Sequence, residues 1–245
     1  NKESNFVIVN TASHIKSGGS WEGGEEGSEE SIFYRSTYEL SLNKDKINDH
    51  FYPLVEESTI YSPRIMVYKF GRNKKYEHLP KSNNPSMLSI LACCLPRYIK
   101  YKTKDKIISN ECVKVYKKKI KNILQTALYW GHDSIVFDSF GCINMNITSQ
   151  IMPPAHCATI FKEVIFDDID MFYKKFKYIS FCINIRNMSK IPKPVGLNDP
   201  KYYIYQDELK YHAQENTTFK TFYKILYLTL VLQHVLHQLT ESPMG

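Results

Sequence analysis

Apolar residues along this chain fall into short continuous runs that alternate with longer segments in which they recur every three or four positions. The runs are typical of strands buried on both faces of a sheet, and the spaced segments are typical of helices. Strands are predicted at residues 6–9, 60–68, 87–98, 134–137 and 178–185. Helices are predicted at residues 29–42, 112–130 and 153–165. This alternation predicts an α/β fold with a mostly parallel sheet.

The pattern changes toward the end of the chain. Residues 191–200 are rich in proline, glycine and asparagine, which predicts a linker. An apolar segment at residues 219–239 follows, and its Lys224, His234 and His237 favour a packing or partner helix over a membrane span. We therefore predict one globular domain over residues 1–190, followed by a linker and a helical or strand extension over residues 191–245.

Charge and cysteine content narrow the classes of partner and cofactor. The formal net charge of +7 favours anionic partners, but no nucleic-acid motif accompanies the lysines, and solvated helix faces are the preferred interpretation. The six cysteines have neither zinc-ligand spacing nor a disulfide framework, so we expect reduced thiols, no metal and no cofactor. The N-terminus lacks a signal-peptide pattern, so we expect an intracellular protein, cytoplasmic or nuclear. We also expect a monomer without a membrane partner.

The candidate chemistry lies in a glycine-rich loop that directly follows the first predicted strand. Residues 17–31 include Gly18 and Gly19 and close on the adjacent pair Glu29 and Glu30. Backbone N–H groups of such a loop can bind an anion, and a carboxylate beside them can act as a general acid or base. Phosphate binding and proton transfer are both indicated. Because consecutive helical residues point about 100° apart, we expect the two glutamates to need an irregular backbone if both face one ligand.

Several blocks of sequence resemble one known family. Residues 9–13 (VNTAS), 16–24 (KSGGSWEGG), 28–31 (SEES) and 35–36 (RS) are similar in type and spacing to the microbial-type poly(ADP-ribose) glycohydrolases. Further blocks extend the resemblance over residues 6–185. It implies a macrodomain-like, three-layer α/β/α fold with a mixed, mostly parallel sheet, and a catalytic domain over residues 1–190. It also implies that the family's N-terminal segment, which helps to hold adenine, is missing or truncated.

The same resemblance implies roles for three residues. Glu30 matches the catalytic glutamate, which donates a proton to the departing ribose oxygen, and Glu29 matches the neighbour that orients the site. Asn10 matches an asparagine that contacts the distal ribose. Because like charges repel, we expect Glu29 to raise the proton affinity of Glu30.

Two loops complete the implied site, and both depart from the family pattern. Gly18, Gly19 and Ser20 match a triple-glycine loop, and Ser28 stands where the family has glutamine. A second loop matches the segment that wraps the diphosphate; it comprises Gly141, Cys142, Ile143, Asn144, Met145 and Asn146. Ile143 and Asn146 replace glycines there, and a β-branched residue disfavours positive φ.

These departures leave three functions open. The preferred hypothesis is a metal-independent hydrolase that releases ADP-ribose from poly(ADP-ribose). The second is a degenerate macrodomain that binds ADP-ribose or ADP-ribosylated proteins without turnover. The third is a basic domain that binds nucleic acid or protein and has kept only the fold, which the net charge of +7 motivates.

Other side chains receive structural interpretations. The three histidines at positions 14, 132 and 156 have no partner at metal spacing, so a surface or supporting role is expected. Cys182 lies in an apolar run and is expected to be a buried small hydrophobic residue. Packing is preferred over a nucleophilic role for Cys142, whereas Trp21 is equally suited to stacking on a ligand and to packing on its own scaffold.

Overall fold

The computed structural model describes residues 5–42, 51–80, 86–96, 108–142, 152–167, 172 and 175–182, together with the backbone of 204–205. Within these residues, six strands form one sheet in the order β2-β3-β1-β4-β5-β6. The strands are β1 (Phe6–Thr11), β2 (Ile60–Val67), β3 (Ser86–Cys93), β4 (Ser134–Phe137), β5 (Tyr178–Cys182) and β6 (Ile204–Tyr205).

The sheet is mixed but mostly parallel, as predicted. Strand β1 lies at its centre and pairs in parallel with β3 on one side and with β4 on the other. Strands β4, β5 and β6 continue the parallel order, and among the described strands only β2 runs antiparallel, against β3. The carboxyl ends of β1, β3 and β4 therefore meet at one edge of the sheet, where ligands bind in open α/β folds.

Helices cover both faces of the sheet, which confirms the three-layer α/β/α architecture. Four helices are described: α1 (Ser28–Arg35), α2 (Tyr38–Ser41), α3 (Asn110–Tyr129) and α4 (Pro154–Lys162), the last followed by a π-helical turn at Glu163–Asp167. The alternating side chains of β3 separate the two cores. Ile90 and Ala92 pack in the core that contains Phe33 of α1 and Tyr38 of α2. Leu91 and Cys93 pack in the larger core formed by α3 and α4.

The prediction of a single helix over residues 29–42 is wrong, because the helix is interrupted at Ser36. That residue is extended, with φ of −141° and ψ of 174°, and separates α1 from α2. Its hydroxyl donates to the Ile32 carbonyl at 2.7 Å and accepts from the Tyr38 amide at 3.2 Å. Serine side chains compete in this way for backbone hydrogen bonds. The break matters for the site because it places Tyr38 at the start of a separate helix.

The prediction of a buried Cys182 fails, whereas one of the two alternatives expected for His132 holds. His132 is 3% exposed, which excludes the surface position and leaves the supporting role. Its Nε2 lies 2.9 Å from the Tyr61 hydroxyl, and its Nδ1 lies 3.3 Å from the Asn5 carbonyl oxygen, so partners distant in sequence cover it. Cys182, in contrast, is exposed at the end of β5.

In the part of the chain that the structure describes, no helix is both long enough and apolar enough to cross a membrane. The same residues contain no group of three or more His, Cys, Asp or Glu side chains suited to a metal ion. The predicted linker at residues 191–200 and the apolar segment at residues 219–239 lie outside the described residues.

Candidate active site

The glycine-rich loop curls around the N-terminus of α1 and binds the carboxylates of Glu29 and Glu30. Glu29 accepts hydrogen bonds from the Ser13 amide at 2.7 Å and from the Gly18 amide at 3.0 Å. Glu30 accepts one from the Ser20 amide at 3.1 Å. Both glutamates lie in the first turn of α1, where the helix dipole favours negative charge. The backbone at the two glutamates is regular helix, and it is the loop that bends to reach both carboxylates.

This arrangement changes the interpretation of the loop as a phosphate-binding site. The amides of Gly18 and Ser20 already donate to carboxylates of the chain itself. The Gly19 amide donates to the Lys16 carbonyl at 3.4 Å, and the Trp21 amide donates to the Gly18 carbonyl at 3.1 Å. Since these four consecutive amides have acceptors in the loop itself or in α1, the anion that the loop holds is the glutamate pair. Its contribution to the site is the placement of two carboxylates.

The Glu30 carboxylate occupies the space that a Cβ would take at two glycines. Gly19 has φ of +57°, and a Cβ there would overlap Glu30 and lie 3.3 Å from Oε2 of Glu29. A Cβ on Gly27 would overlap the other oxygen of Glu30. The Glu30 carboxylate therefore lies between two stretches of loop backbone, and both glutamates approach Gly19.

Trp21 packs on the scaffold that supports the loop. Its ring centroid lies 5.7 Å from that of Phe33 and 6.1 Å from that of Tyr34, both on α1. The Tyr34 hydroxyl donates to the Trp21 carbonyl at 2.5 Å. Of the two interpretations that the sequence left open for Trp21, the structure supports packing against its own scaffold.

The two carboxylates differ in environment. Glu29 is 5% exposed, and burial is the main reason why its pKa rises to about 7. The hydrogen bonds from Ser13 and Gly18 oppose this rise, and the charge of Glu30 adds to it. Burial, and not the like-charge repulsion considered from the sequence, is thus the main cause of the raised pKa of Glu29.

The raised pKa of Glu29 predicts a loss of stability as pH rises. An acid whose pKa is higher in the folded protein stabilises it below the ordinary value, about 4.5, and this contribution is lost as pH rises to about 7. One pH unit between the two pKa values corresponds to about 1.4 kcal/mol, so the loss amounts to about 3 kcal/mol. We expect urea unfolding at pH 5 and pH 8 to show this loss in the wild type and not in Glu29→Gln.

Glu22→Gln is the matched control, because Glu22 lies exposed in the same loop. It is expected to keep the wild-type difference between pH 5 and pH 8. An equal pH dependence in Glu29→Gln and wild type would contradict the assignment of the raised pKa to Glu29.

Asn10 lies near the end of β1 and close to Glu29. Its side chain is 2% exposed, and among the described residues neither amide atom has a hydrogen-bond partner. The amide is nevertheless near enough to Glu29 and Tyr38 to lower the pKa of each. Buried amides are almost always hydrogen-bonded in folded proteins, so this one is available for a ligand or a neighbouring side chain.

Asp138 joins the base of the second loop to the end of β1. It directly follows β4 and accepts hydrogen bonds from the Thr11 hydroxyl at 2.5 Å and from the Phe140 amide at 2.7 Å. Burial raises the pKa of its carboxyl group. Sequence reasoning missed Asp138, although a carboxylate immediately after a parallel strand was a signal that could have found it. Both predicted loops thus leave the sheet at the same edge.

The second loop is described only at its start. Gly141 has φ of +84°, and a Cβ there would lie 2.8 Å from Cδ1 of Leu95, so glycine is required. Cys142 turns inward: its side chain is fully buried, and its amide donates to the Ser139 carbonyl at 3.0 Å. Burial and the neighbouring Cys157 raise the pKa of Cys142, which excludes a reactive thiolate. Its geometry therefore does not support Cys142 as a ligand contact. The other four loop residues predicted to bind ligand, Ile143, Asn144, Met145 and Asn146, lie outside the described residues.

Comparison with known families is consistent with this geometry. A family model described as the microbial-type PARG catalytic domain matches residues 1–70, which contain β1, the glycine-rich loop and α1. The chain is similar to the microbial-type poly(ADP-ribose) glycohydrolases. No curated protein sequence matches it.

Solved poly(ADP-ribose) glycohydrolase structures share the fold. The Thermomonospora curvata enzyme bound to the inhibitor ADP-HPD superposes with a TM-score of 0.60 at 18% identity, over 89% of this chain and 70% of that one. The Deinococcus radiodurans enzyme in complex with ADP-ribose gives a TM-score of 0.59 at 16% identity, over 92% and 76% of the two chains. A second T. curvata structure is 21% identical over 74% of this chain and 62% of that one, with a TM-score of 0.58.

Of the two loops that the family resemblance predicts at the site, the structure describes the first one completely. The structure brings together Asn10, Glu29, Glu30 and the loop from Gly18 to Ser20. Ser28, predicted as a ligand contact, is the first residue of α1 and is exposed. Two residues that were not predicted also belong to the site. The Ser13 amide donates to Glu29, and the Asp138 carboxylate accepts from the Thr11 hydroxyl at the end of β1.

Proposed function

We propose that this protein hydrolyses the ribose–ribose O-glycosidic bonds of poly(ADP-ribose) and releases ADP-ribose. The observation that carries the proposal is the pair Glu29 and Glu30, which loop amides hold at the N-terminus of α1 beside the buried amide of Asn10. The family match over residues 1–70 and the fold of glycohydrolases solved with ADP-ribose or an inhibitor support the same chemistry.

Glu30 is the proposed general acid. Cleavage of a glycosidic bond passes through an oxocarbenium-like transition state and needs a proton on the departing oxygen. The Ser20 amide and the backbone of Gly19 and Gly27 fix the Glu30 carboxyl group, so its direction is set before substrate arrives. After bond cleavage the resulting carboxylate accepts a proton from the attacking water, which restores the acid.

Glu29 and Asn10 are proposed to orient the substrate and Glu30. Glu29 is held by two amides and has a pKa of about 7, so it exchanges a proton near neutral pH while remaining fixed in place. The Asn10 amide is suited to hydrogen-bond a ribose hydroxyl. A polar contact of this kind positions the sugar relative to Glu30.

The direct test is release of ADP-ribose from a poly(ADP-ribosyl)ated protein, followed by chromatography, together with calorimetry of ADP-ribose binding. We expect the wild-type protein both to bind ADP-ribose and to release it from the polymer. Glu22→Gln changes an exposed loop glutamate and is expected to leave both measurements unchanged. Absence of both binding and release would reject the proposal.

A second candidate is a protein that binds ADP-ribose or ADP-ribosylated proteins without turnover. Ser28 favours it, because a short, exposed serine stands where the resembling enzymes carry glutamine before the two glutamates. Calorimetric binding with no release from the polymer would select this candidate over the hydrolase.

A further inference from the structure

We propose that Thr11 and Asp138 are positioning residues for ADP-ribose binding, because they fix the start of the second loop relative to the glycine-rich loop. The Thr11 hydroxyl, at the end of β1, donates to the carboxylate of Asp138, which directly follows β4, at 2.5 Å. Under the proposed function both loops contact one ligand. The effect on binding therefore rests on that function, whereas the contact between the two strand ends does not.

Asp138 shapes the turn that opens the second loop. One of its oxygens accepts from the Thr11 hydroxyl, and the other accepts from the Phe140 amide at 2.7 Å. Phe140 has φ of +47° and Gly141 has φ of +84°, so two consecutive residues are left-handed. A bulky residue seldom holds this conformation unless its surroundings impose it. The carboxylate contributes to this, since an aspartate that accepts from the amide two residues further on stabilises a turn.

The same turn is anchored in the larger core. The Phe140 side chain is fully buried, and its ring packs edge-on against Phe161 of α4 with centroids 5.2 Å apart. The Met152 amide donates to the Gly141 carbonyl at 3.0 Å, so the two described ends of the second loop meet at this turn. The hydrogen bond from Thr11 extends the anchor to the strand that leads into the glycine-rich loop.

The end of β1 is bonded to both parts of the site. Two residues beyond Thr11, the Ser13 amide donates to the Glu29 carboxylate at 2.7 Å. Between them, the Ala12 amide donates to the carbonyl of the last residue of β3 at 2.9 Å, which holds the segment in line with the sheet. One short stretch of backbone thus connects Glu29 to Asp138. Displacing the second loop from the carboxylate pair requires breaking one of these contacts.

Conservative substitutions separate positioning by Asp138 from proton transfer. Asparagine has almost the shape of aspartate: its oxygen can accept from the Phe140 amide, and its NH₂ group can donate to the Thr11 oxygen. Asp138→Asn therefore keeps both contacts but removes the acid, whereas Asp138→Ala loses both contacts. At the other end of the bond, Thr11→Ser keeps the hydroxyl, whereas Thr11→Val keeps the branched shape and loses the donor.

The test is calorimetry of ADP-ribose binding, together with kcat and KM for ADP-ribose release. We expect Thr11→Val and Asp138→Ala to raise Kd and KM about tenfold, the effect of losing a hydrogen bond to a charged group. Little change in kcat is expected, because Glu30 is held by the Ser20 amide. A merely destabilised protein would instead contain fewer active molecules, which lowers the apparent kcat and leaves KM unchanged.

Two kinds of control accompany these variants. Thr11→Ser and Asp138→Asn restore the contact and are expected to bring Kd and KM back to the wild-type values. Thr126→Val removes a threonine hydroxyl that donates to the Asn122 carbonyl within α3, and it is expected to leave all three constants unchanged.

Hydrogen exchange of the Phe140 amide, followed by NMR, tests the turn without any ligand. This amide donates to Asp138 in the structure. Loss of its acceptor in Asp138→Ala is expected to speed its exchange about tenfold, whereas Asp138→Asn is expected to keep the wild-type rate.

The outcomes separate this inference from the proposed function. Wild-type Kd in both Thr11→Val and Asp138→Ala would overturn the inference, as would a large loss of kcat in Asp138→Asn, which would make Asp138 a proton donor or acceptor. Thr11→Val provides the test on its own if Asp138→Ala does not fold. A wild-type protein that does not bind ADP-ribose would reject the proposed function itself, whereas binding that neither variant weakens would reject only the positioning role.

Discussion

Glu30→Gln is expected to lower kcat for ADP-ribose release by about 10²- to 10⁴-fold, the usual contribution of a general acid. Glutamine keeps the shape of the side chain and an oxygen that can accept the Ser20 amide, but it has no proton to give to the departing ribose oxygen. The loss is therefore expected in kcat, while calorimetry is expected to show ADP-ribose binding close to that of the wild type.

The exposed loop glutamates supply the control for this substitution. Glu22→Gln and Glu25→Gln each remove one negative charge from the same loop without touching the carboxylate pair. Both are expected to keep wild-type kcat. Full activity in Glu30→Gln would remove Glu30 as the acid and direct attention to Asp138, whose partly buried carboxyl group has a raised pKa and lies at the same edge of the sheet.

The sequence predicted most of the sheet because its strands are short and almost wholly apolar. The predicted bounds of β4, residues 134–137, agree with the structure, and those of β1 differ only at its end. Long amphipathic periodicity likewise located α3, which begins two residues before its predicted start because Ser109 caps it by accepting from the Cys112 amide at 3.2 Å. These features depend on residues close in sequence, which is why a pattern can reveal them.

Features that depend on distant partners could not be read in the same way. His132 is buried because Tyr61 and Asn5 cover it, and neither is near it in sequence. The Thr11 and Asp138 side chains meet only because β1 and β4 are neighbours in the sheet. Pairing of strands and crossing of loops decide such contacts, and composition does not encode them.

In the candidate site, too, the sequence predicted the local pattern but not the contacts between distant residues. Glycines followed by two glutamates indicated an anion-binding loop beside an acid, and the resemblance assigned Glu30 its role. The sequence did not show which anion the loop amides would bind, because that depends on how tightly the loop curls around α1. In the structure the amides of Gly18 and Ser20 meet Glu29 and Glu30. The loop is thus part of the apparatus that orients the acid.

This role of the loop predicts a large effect from one methyl group. We expect Gly19→Ala to lower kcat for ADP-ribose release by about 10²-fold, because its Cβ would overlap the Glu30 carboxylate and misplacing a catalytic group by about 1 Å has an effect of this size. Gly24→Ala is the matched control. Gly24 has φ of +82° against +57° for Gly19, so both alanines are strained, but no atom lies within 4 Å of a Cβ at Gly24. Gly24→Ala is expected to lose stability and to keep kcat.

Gly27→Ala separates displacement of the acid from strain in the loop. Gly27 has φ of −137°, which alanine adopts freely, yet a Cβ there would also overlap the Glu30 carboxylate. Because that carboxylate is the far end of a flexible side chain, it can move aside at little cost in stability. Gly27→Ala is therefore expected to lower kcat with an almost unchanged urea midpoint, whereas Gly23→Ala, with no atom within 4 Å of its Cβ, changes neither. Equal loss of activity in Gly19→Ala and Gly24→Ala, with full activity in Gly27→Ala, would show that loop strain and not the position of Glu30 limits the reaction.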